Sequence, residues 1–381
     1  MKKTSGSLPY QKYTQLQNQK KIMKELWFAH RLSRSQLASM CGLTKSAVTY
    51  LVSDMIEKGM VVPVPESYKK GIGHPQELLE LNSMYGYIIG ARVSSTNFRL
   101  AISDFCTHIL WQECISITDC KSTEDILDLI CDETQLAIKQ LGISSESILG
   151  FGFSNASLIA EHSNLPISPS MAISEFPVEK YLTDRLHVKV LVNQGTANAA
   201  RILKWNDRAN IHKNMINIEI NRFIGIGSLI NGSVYTNQME NSGLMLSHIV
   251  LEPNGTPCIC GKKGCWIAMG SLSVLGGDMT IEEAVERAER GEKEYLDKLT
   301  QIGVYSGKGI SLIIRVMSPD SIMLSGPVIH AEKFIAEPMF RTIEEDVPPY
   351  IFSRDSIFFA KDDISAPLMG ALLSIVELII D

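Results

Sequence analysis

Three cysteines stand within eight residues, Cys258, Cys260 and Cys265, in the order C-x-C-x4-C. Thiolates at this spacing can wrap one soft cation, because Gly261 and Gly264 let the chain turn tightly between them. A tetrahedral zinc ion needs a fourth donor. His248, ten residues upstream of Cys258, can supply an imidazole, although the chain holds eight histidines. A Cys3His set leaves no open position, so the expected Zn2+ is structural rather than catalytic. Lys262 and Lys263 at the loop tip are expected to be solvated. The competing reading is three buried thiols that hold no metal. The other cysteines, Cys41, Cys106, Cys114, Cys120 and Cys131, are scattered without a framework. They read as reduced thiols, mostly small core residues.

A second group of polar side chains lies near the N-terminus. In SRSQLASMCGL, Ser33 can cap a short helix and Gly42 permits a tight turn at positive φ. Thr44 can cap the next helix, TKSAVTYLVSDMIEKG, which Gly59 would end. Ahead of both, Leu16, Ile22, Met23, Leu26 and Trp27 form a helical stripe starting near Gln15. Leu37, Ala38, Leu43, Val48, Leu51 and Val52 are expected to join the helices. This is the helix-turn-helix pattern. Its second helix would show Lys45, Ser46, Thr49 and Tyr50 near its N-terminus, where a recognition helix meets base edges. Ser33, at the start of the preceding helix, is counted with these DNA-contacting residues. Two β-prone segments follow in MVVPVPESYKKGIGHPQELLELN and read as a wing, with Lys69 and Lys70 at its basic tip reaching phosphate. A small helical domain for protein contact is the alternative.

Basic charge, the Gly turn, the short polar helix face and the wing coincide and together favour DNA over that alternative; charge alone would fit a solvated face equally. Residues 1–75 hold twelve Lys and Arg against four Asp and Glu, a net of +8. The remainder holds 24 basic and 38 acidic residues, a net of −14. Only the head is suited to a polyanion.

These elements must be carried by a larger body. From Tyr87, YIIGARVSSTNFRLAISDF reads as two strands and HILWQECISI as a third. STEDILDLICDETQLAIKQLG is an amphipathic helix, ILGFGFSN and HVKVLVNQG are buried strands, and MINIEINRFIGIGSLINGSVY is a hairpin. SPDSIMLSGPVI is a strand with a Gly-Pro turn, and APLMGALLSIVELII is a helix apolar nearly all round. The body is therefore α/β with mixed sheets. A length of 381 residues fits two or three domains, and 45% hydrophobic with 20% charged residues excludes wholesale disorder. No apolar run reaches the roughly 18 residues of a membrane span. The first residues carry lysines but no apolar core, unlike a secretory signal. The expected compartment is the cytoplasm.

The stretch from His248 to Cys258-Ile-Cys260-Gly-Lys-Lys-Gly-Cys265 resembles the signature of the ROK family (repressors, open reading frames and kinases). That pattern is a His, about ten residues, then C-x-C-G-x-x-G-C. The head-plus-body order resembles the family's xylose- and N-acetylglucosamine-type repressors over essentially the whole chain. The resemblance implies a winged helix-turn-helix at 1–81, then two actin/hexokinase-like (ribonuclease H-like) lobes. One would be 82–195 plus 366–381, and the other 196–365 with the zinc loop. It also implies a double-stranded DNA operator, a sugar or sugar-derivative effector, and a homodimer or higher homo-oligomer.

The same resemblance exposes departures from kinase chemistry. Where family kinases hold phosphate-bound Mg2+ with an Asp before a Gly-rich turn, GARVSST has Arg92, Ser94 and Ser95. Where the catalytic base is the Asp of an Asn-Asp pair, this chain has Asn193-Gln194, and glutamine cannot accept the proton. Of the second Gly-rich turn only Gly225 and Gly227 remain, and a hairpin bend explains them as well as phosphate does. Two sugar-binding glutamates are replaced by Met245 and Ile267, at a cost of about 1–3 kcal/mol for each unpaired hydroxyl. Ser154, Asn155, Asn193, Gln194 and His248 are left as the candidate ligand contacts. His74 replaces an Arg that enters the minor groove, a weaker and pH-sensitive contact. The expected function is a DNA-binding regulator, a repressor, without enzyme activity. An active sugar kinase with an appended head, and a regulator that senses a protein partner, are the alternatives.

Overall fold

A computed structural model of the chain describes residues 10–64, 77–94, 96–155, 176–206, 212–235, 245–277, 279–360 and 366–381. The head begins with α1 (Tyr10–Ala29), β1 (Leu32–Ser33), α2 (Arg34–Cys41) and α3 (Lys45–Glu57). Strands β2 (Val61–Val64) and β3 (Leu78–Leu81) complete a three-stranded antiparallel sheet in the order β1-β3-β2. Its core contains Ile22, Leu26, Leu37, Val48, Leu51 and Val52. Leu16 is outside it, 40% exposed, because the helix starts a turn earlier than the apolar stripe does.

The first lobe is a five-stranded sheet of β4 (Tyr87–Val93), β5 (Asn97–Asp104), β6 (Ile109–Ser116), β7 (Ile148–Asn155) and β8 (Val190–Gln194). Their order is β6-β5-β4-β7-β8, with β7 parallel to both neighbours. Strand residues alternate between faces. Ile89, Ala91, Phe151 and Phe153 therefore meet α4 (Thr123–Gln140) and α5 (Val178–Leu186), while Gly90, Arg92, Gly152 and Ser154 turn the other way.

After α6 (Gly195–Asn206) comes the second sheet, made of β9 (Met215–Ile220), β10 (Ile224–Ile230), β11 (Ser233–Val234), β12 (Ser321–Ser325) and β13 (Ile357–Phe359). The order is β11-β10-β9-β12-β13. One face, with Ile216, Ile218 and Ile220, packs on α7 (Trp266–Gly270), α8 (Ile281–Glu289), α9 (Lys293–Met317) and α10 (Glu332–Asp346). The last helix, α11 (Ala366–Ile380), returns to the first sheet.

Helices α6 and α11 pack on each other between the two sheets. Glycine makes this possible, because the backbones approach too closely for a side chain. A Cβ on Gly152 would lie 1.9 Å from the Ala371 carbonyl oxygen, and one on Gly227 2.1 Å from that of Thr196. Gly225 and Gly227 are therefore in-strand positions of β10, and the hairpin bend falls at residues 221–223. The scattered cysteines also differ from expectation. Only Cys131 among them is buried, and Cys114 is exposed, so core packing does not explain the set. No described helix is long and apolar enough to cross a membrane.

Candidate DNA-binding head, interlobe site and metal centre

The head presents its polar residues through two helix caps. Ser33 Oγ accepts from the Gln36 amide at 3.3 Å, and Gln36 Oε1 accepts from the Ser33 amide at 2.8 Å, a reciprocal capping box. Ser33 is thus 2% exposed, and its hydroxyl serves α2 rather than a DNA surface, which corrects its place among the contact residues. Gly42 adopts φ +65°, and Thr44 Oγ1 accepts from the Ala47 amide at 3.2 Å to start α3. Lys45, Ser46, Thr49 and Tyr50 are all exposed on α3, and its first turn carries no acidic residue. The wing strands pair as expected, while Lys69, Lys70 and His74 lie outside the described residues.

The metal centre is folded by a short loop. Gly264 has φ +67°, and a Cβ there would lie 1.5 Å from the Glu252 carbonyl oxygen, so glycine is required twice over. His248 Nδ1 is 3.5 Å from Cys258 Sγ, Cys260 Sγ is 3.6 Å from Cys265 Sγ, and the four donor atoms all lie within 4.8 Å of one another. A tetrahedral ion with Zn–S about 2.3 Å has donor separations of about 3.5–3.8 Å, so the set is metal-sized. Burial raises the Cys258 thiol and pushes that of Cys265 up to about 12. Burial opposes ionisation of Cys260 too, but the Lys262 amide and the neighbouring thiols hold it below its usual value. Burial lowers the His248 pKa, which favours the neutral, ligating imidazole. Its Nε2 is buried with no hydrogen-bond partner among the described residues. This cluster can hold a metal ion.

Between the lobes, Arg92, Ser154 and Asn193 are in register across β4, β7 and β8, and Asn155 is in register with Gln194. Ser154 is fully buried, and its hydroxyl has no partner among the described residues. On the facing sheet the Asn217 amide and the Ser325 hydroxyl are likewise buried and unpaired. His248 is in the second lobe, beside β10, with the metal loop. Ile267 is in the second lobe's core, 4% exposed. The charge balance here escaped the sequence reading. Arg92 Nη2 sits 2.9 Å from Oε1 of Glu219 on β9, a carboxylate that is almost fully buried. The alternation Met-Ile-Asn-Ile-Glu-Ile, with a charge on the face opposite three isoleucines, was the signal for Glu219. Arg201, also missed, donates to Asn193 Oδ1 at 3.1 Å.

Comparison with known proteins agrees with this anatomy. The xylose repressor of Bacillus spizizenii is 24% identical over 371 residues, covering 96% of each chain. The N-acetylglucosamine repressor of Escherichia coli O157:H7 is 20% identical over 327 residues, covering 80% of this chain and 79% of that one. Among solved structures, a ROK family transcriptional regulator described as a homolog of the E. coli MLC protein superposes with a TM-score of 0.73 at 16% identity. That match covers 97% of this chain and 98% of the other. A ROK family glucokinase from Streptomyces griseus, solved with glucose and AMPPNP, gives 0.61 at 18% identity over 76% of this chain and 99% of its own. Residues 15–62 match the winged helix-turn-helix DNA-binding family. Residues 88–377 match the ROK family, to which this chain, with its winged helix-turn-helix head and hexokinase-like body, belongs.

Proposed function

We propose that this chain is a transcriptional repressor of carbohydrate-related genes whose kinase-derived body senses a sugar or sugar derivative and does not phosphorylate it. The observation that carries the reading is the Arg92–Glu219 pair, together with Gln194 at the end of β8. A guanidinium stands where Mg2+-bound phosphate would need a carboxylate, and it is neutralised by a carboxylate from the other lobe. A primary amide stands where a base would have to remove the hydroxyl proton. The names of the full-length relatives support regulation over catalysis.

In this reading Lys45, Ser46, Thr49 and Tyr50 read bases, and Lys69, Lys70 and His74 of the wing contact the sugar-phosphate backbone or minor groove. Ser154, Asn155, Asn193, Gln194 and His248 Nε2 bind the effector. Zn2+ held by His248, Cys258, Cys260 and Cys265 supplies no reaction chemistry. Held by those four residues, the ion would fix the loop between His248 and Cys265. The protein works as a homodimer in the cytoplasm, because two heads on one palindromic operator multiply a weak half-site affinity.

Electrophoretic mobility of DNA from immediately upstream of the protein's own gene tests the first half. The expected result is binding that weakens linearly in log–log salt dependence. Unchanged mobility at low salt rejects it. A coupled assay with ATP and a panel of hexoses and pentoses tests the second half, and turnover of any of them rejects it.

A further inference from the structure

A row of alternating charges runs from the interlobe site to the head. Arg201 on α6 forks three ways. Its Nη2 donates to Asn193 Oδ1 at 3.1 Å, Nη1 to Asn198 Oδ1 at 2.8 Å, and Nε to Glu377 Oε2 of α11 at 2.7 Å. Lys204, one turn further along α6, contacts the other Glu377 oxygen and lies 2.5 Å from Asp381 Oδ2. The second Asp381 oxygen accepts from Lys24 Nζ of α1 at 2.6 Å. Side chains of Arg201, Lys204 and Glu377 are 15%, 19% and 22% exposed, so these charges are poorly screened. Burial by itself would lower the Lys204 pKa, yet the Asp381 and Glu377 carboxylates shift it upward.

The helices that carry the row have little slack. A Cβ on Gly370 of α11 would lie 1.8 Å from the Asn198 carbonyl oxygen of α6, so one helix cannot shift without the other. Both ends of the pair touch the head. Trp205 at the end of α6 stacks on Phe28 at 5.9 Å, meets Trp27 edge-on at 5.6 Å, and accepts from Trp27 Nε1 through its carbonyl at 3.2 Å. Asp381 just beyond α11 holds Lys24. The head core and the core around α11 form one continuous apolar cluster. Beside this joint lies a cavity of about 460 Å³, walled by Trp27, Phe28, His108 and Trp205.

We propose that Arg201 is a positioning residue that reports the state of Asn193 to the DNA-binding head through Glu377, Lys204, Asp381 and Lys24. This rests on the reading of Asn193 as an effector contact. An effector hydroxyl that donates to Asn193 Oδ1 competes for the acceptor that Arg201 uses. The guanidinium then loses one of three partners and must redistribute over Asn198 and Glu377, which alters the grip of α11 on Lys204 and, through Asp381, on α1. The coupling free energy is the measurable claim, since spatial continuity alone does not establish it.

The test is a double-mutant cycle in the full-length protein between Asn193→Ala and Lys24→Met, with Asn193→Ser as the milder second variant at the first position. Hydrogen exchange of the α1 amides is read in all forms. The expected result is that the Asn193 change alters α1 exchange by threefold or more in the Lys24 background, and by less than half that factor once Lys24 is Met. Lys333→Met, which breaks a surface pair with Glu289 outside the row, should leave the effect of Asn193 intact. Equal effects of the Asn193 change in both Lys24 backgrounds overturn the relay, as does no effect in either. Affinity for the upstream DNA is measured on the same four forms. Coupled exchange without DNA binding would sink the regulatory reading and leave the relay standing, whereas DNA binding with uncoupled exchange would sink the relay alone.

Discussion

Arg92 and Glu219 face each other at 2.9 Å across the two lobes, one from β4 and the other from β9. Neither could be accommodated alone. Glu219 is 7% exposed, and the fully buried Asn217 stands on the same face of β9. An unpaired charge in that setting costs far more than the pair contributes. The expected outcome is that Arg92→Ala and Glu219→Ala each lower stability by about 2–4 kcal/mol, while Arg92→Met combined with Glu219→Leu costs less than either. Thermal unfolding of the four proteins decides this. A double variant that is less stable than both single variants would contradict it.

Reinstating one carboxylate should not reinstate catalysis. Arg92→Asp would place a second carboxylate against Glu219 and still lack a base at Gln194. The expected result is a less stable protein with no measurable sugar phosphorylation, read in the coupled ATP assay. Activity in this variant alone would show that position 92 was the sole obstacle.

The metal loop should be a staple. Elemental analysis is expected to find one zinc per chain, lost in Cys260→Ser. Chelation should lower the midpoint of thermal unfolding by ~5 °C or more, because a closed Cys3His set contributes its binding energy to folding. An unchanged midpoint after verified metal removal would argue against a structural role.

In the head, Tyr50→Ala and Lys45→Ala should weaken DNA binding with little change in stability, since both side chains are exposed. Ser33→Ala should do the opposite first, costing about 1 kcal/mol of stability through the lost cap of α2. Comparing binding with unfolding for the three variants separates contact from positioning. If Ser33→Ala weakens binding strongly at unchanged stability, its hydroxyl serves DNA after all.

Acid should loosen the joint between helices and head. Burial pushes the Glu377 and Asp381 carboxyls upward, but Lys204 with Arg201, and Lys204 with Lys24, more than offset it, and both end below their ordinary values of 4.5 and 3.8. A carboxyl that is more acidic folded than unfolded stabilises fully above its unfolded value, and that stability is lost as pH falls through the lower folded value. Below pH 4.5 the wild type should therefore lose unfolding midpoint more steeply than the Glu377→Gln, Asp381→Asn double variant. Parallel slopes would remove these two residues from the account.

Local chemistry made much of this protein legible without its fold. The caps at Ser33 and Thr44, the turn at Gly42 and the metal loop between Cys258 and Cys265 are encoded by residues a few positions apart. Their partners are backbone groups of the same segment, so spacing suffices to read them. The strands were legible for the same reason, through alternation along one segment. Tertiary structure decided what the charges mean. Arg92 read as a lost carboxylate until Glu219, 127 positions away, arrived from the second sheet. Gly225 and Gly227 read equally as a phosphate turn or a hairpin bend, and the close packing of α6 on β10 is what gives Gly227 its role. Arg201, Glu377, Lys204, Asp381 and Lys24 are ordinary charged residues on, or just beyond, three separate helices, and only their packing lines them up. A buried charge is stable only with its partner, and no local rule names a partner that the fold brings from the other lobe. The Cys3His cluster stands between these cases. The order of its thiols along one loop was readable, and only folding brought the three thiols and one imidazole to within 4.8 Å of one another.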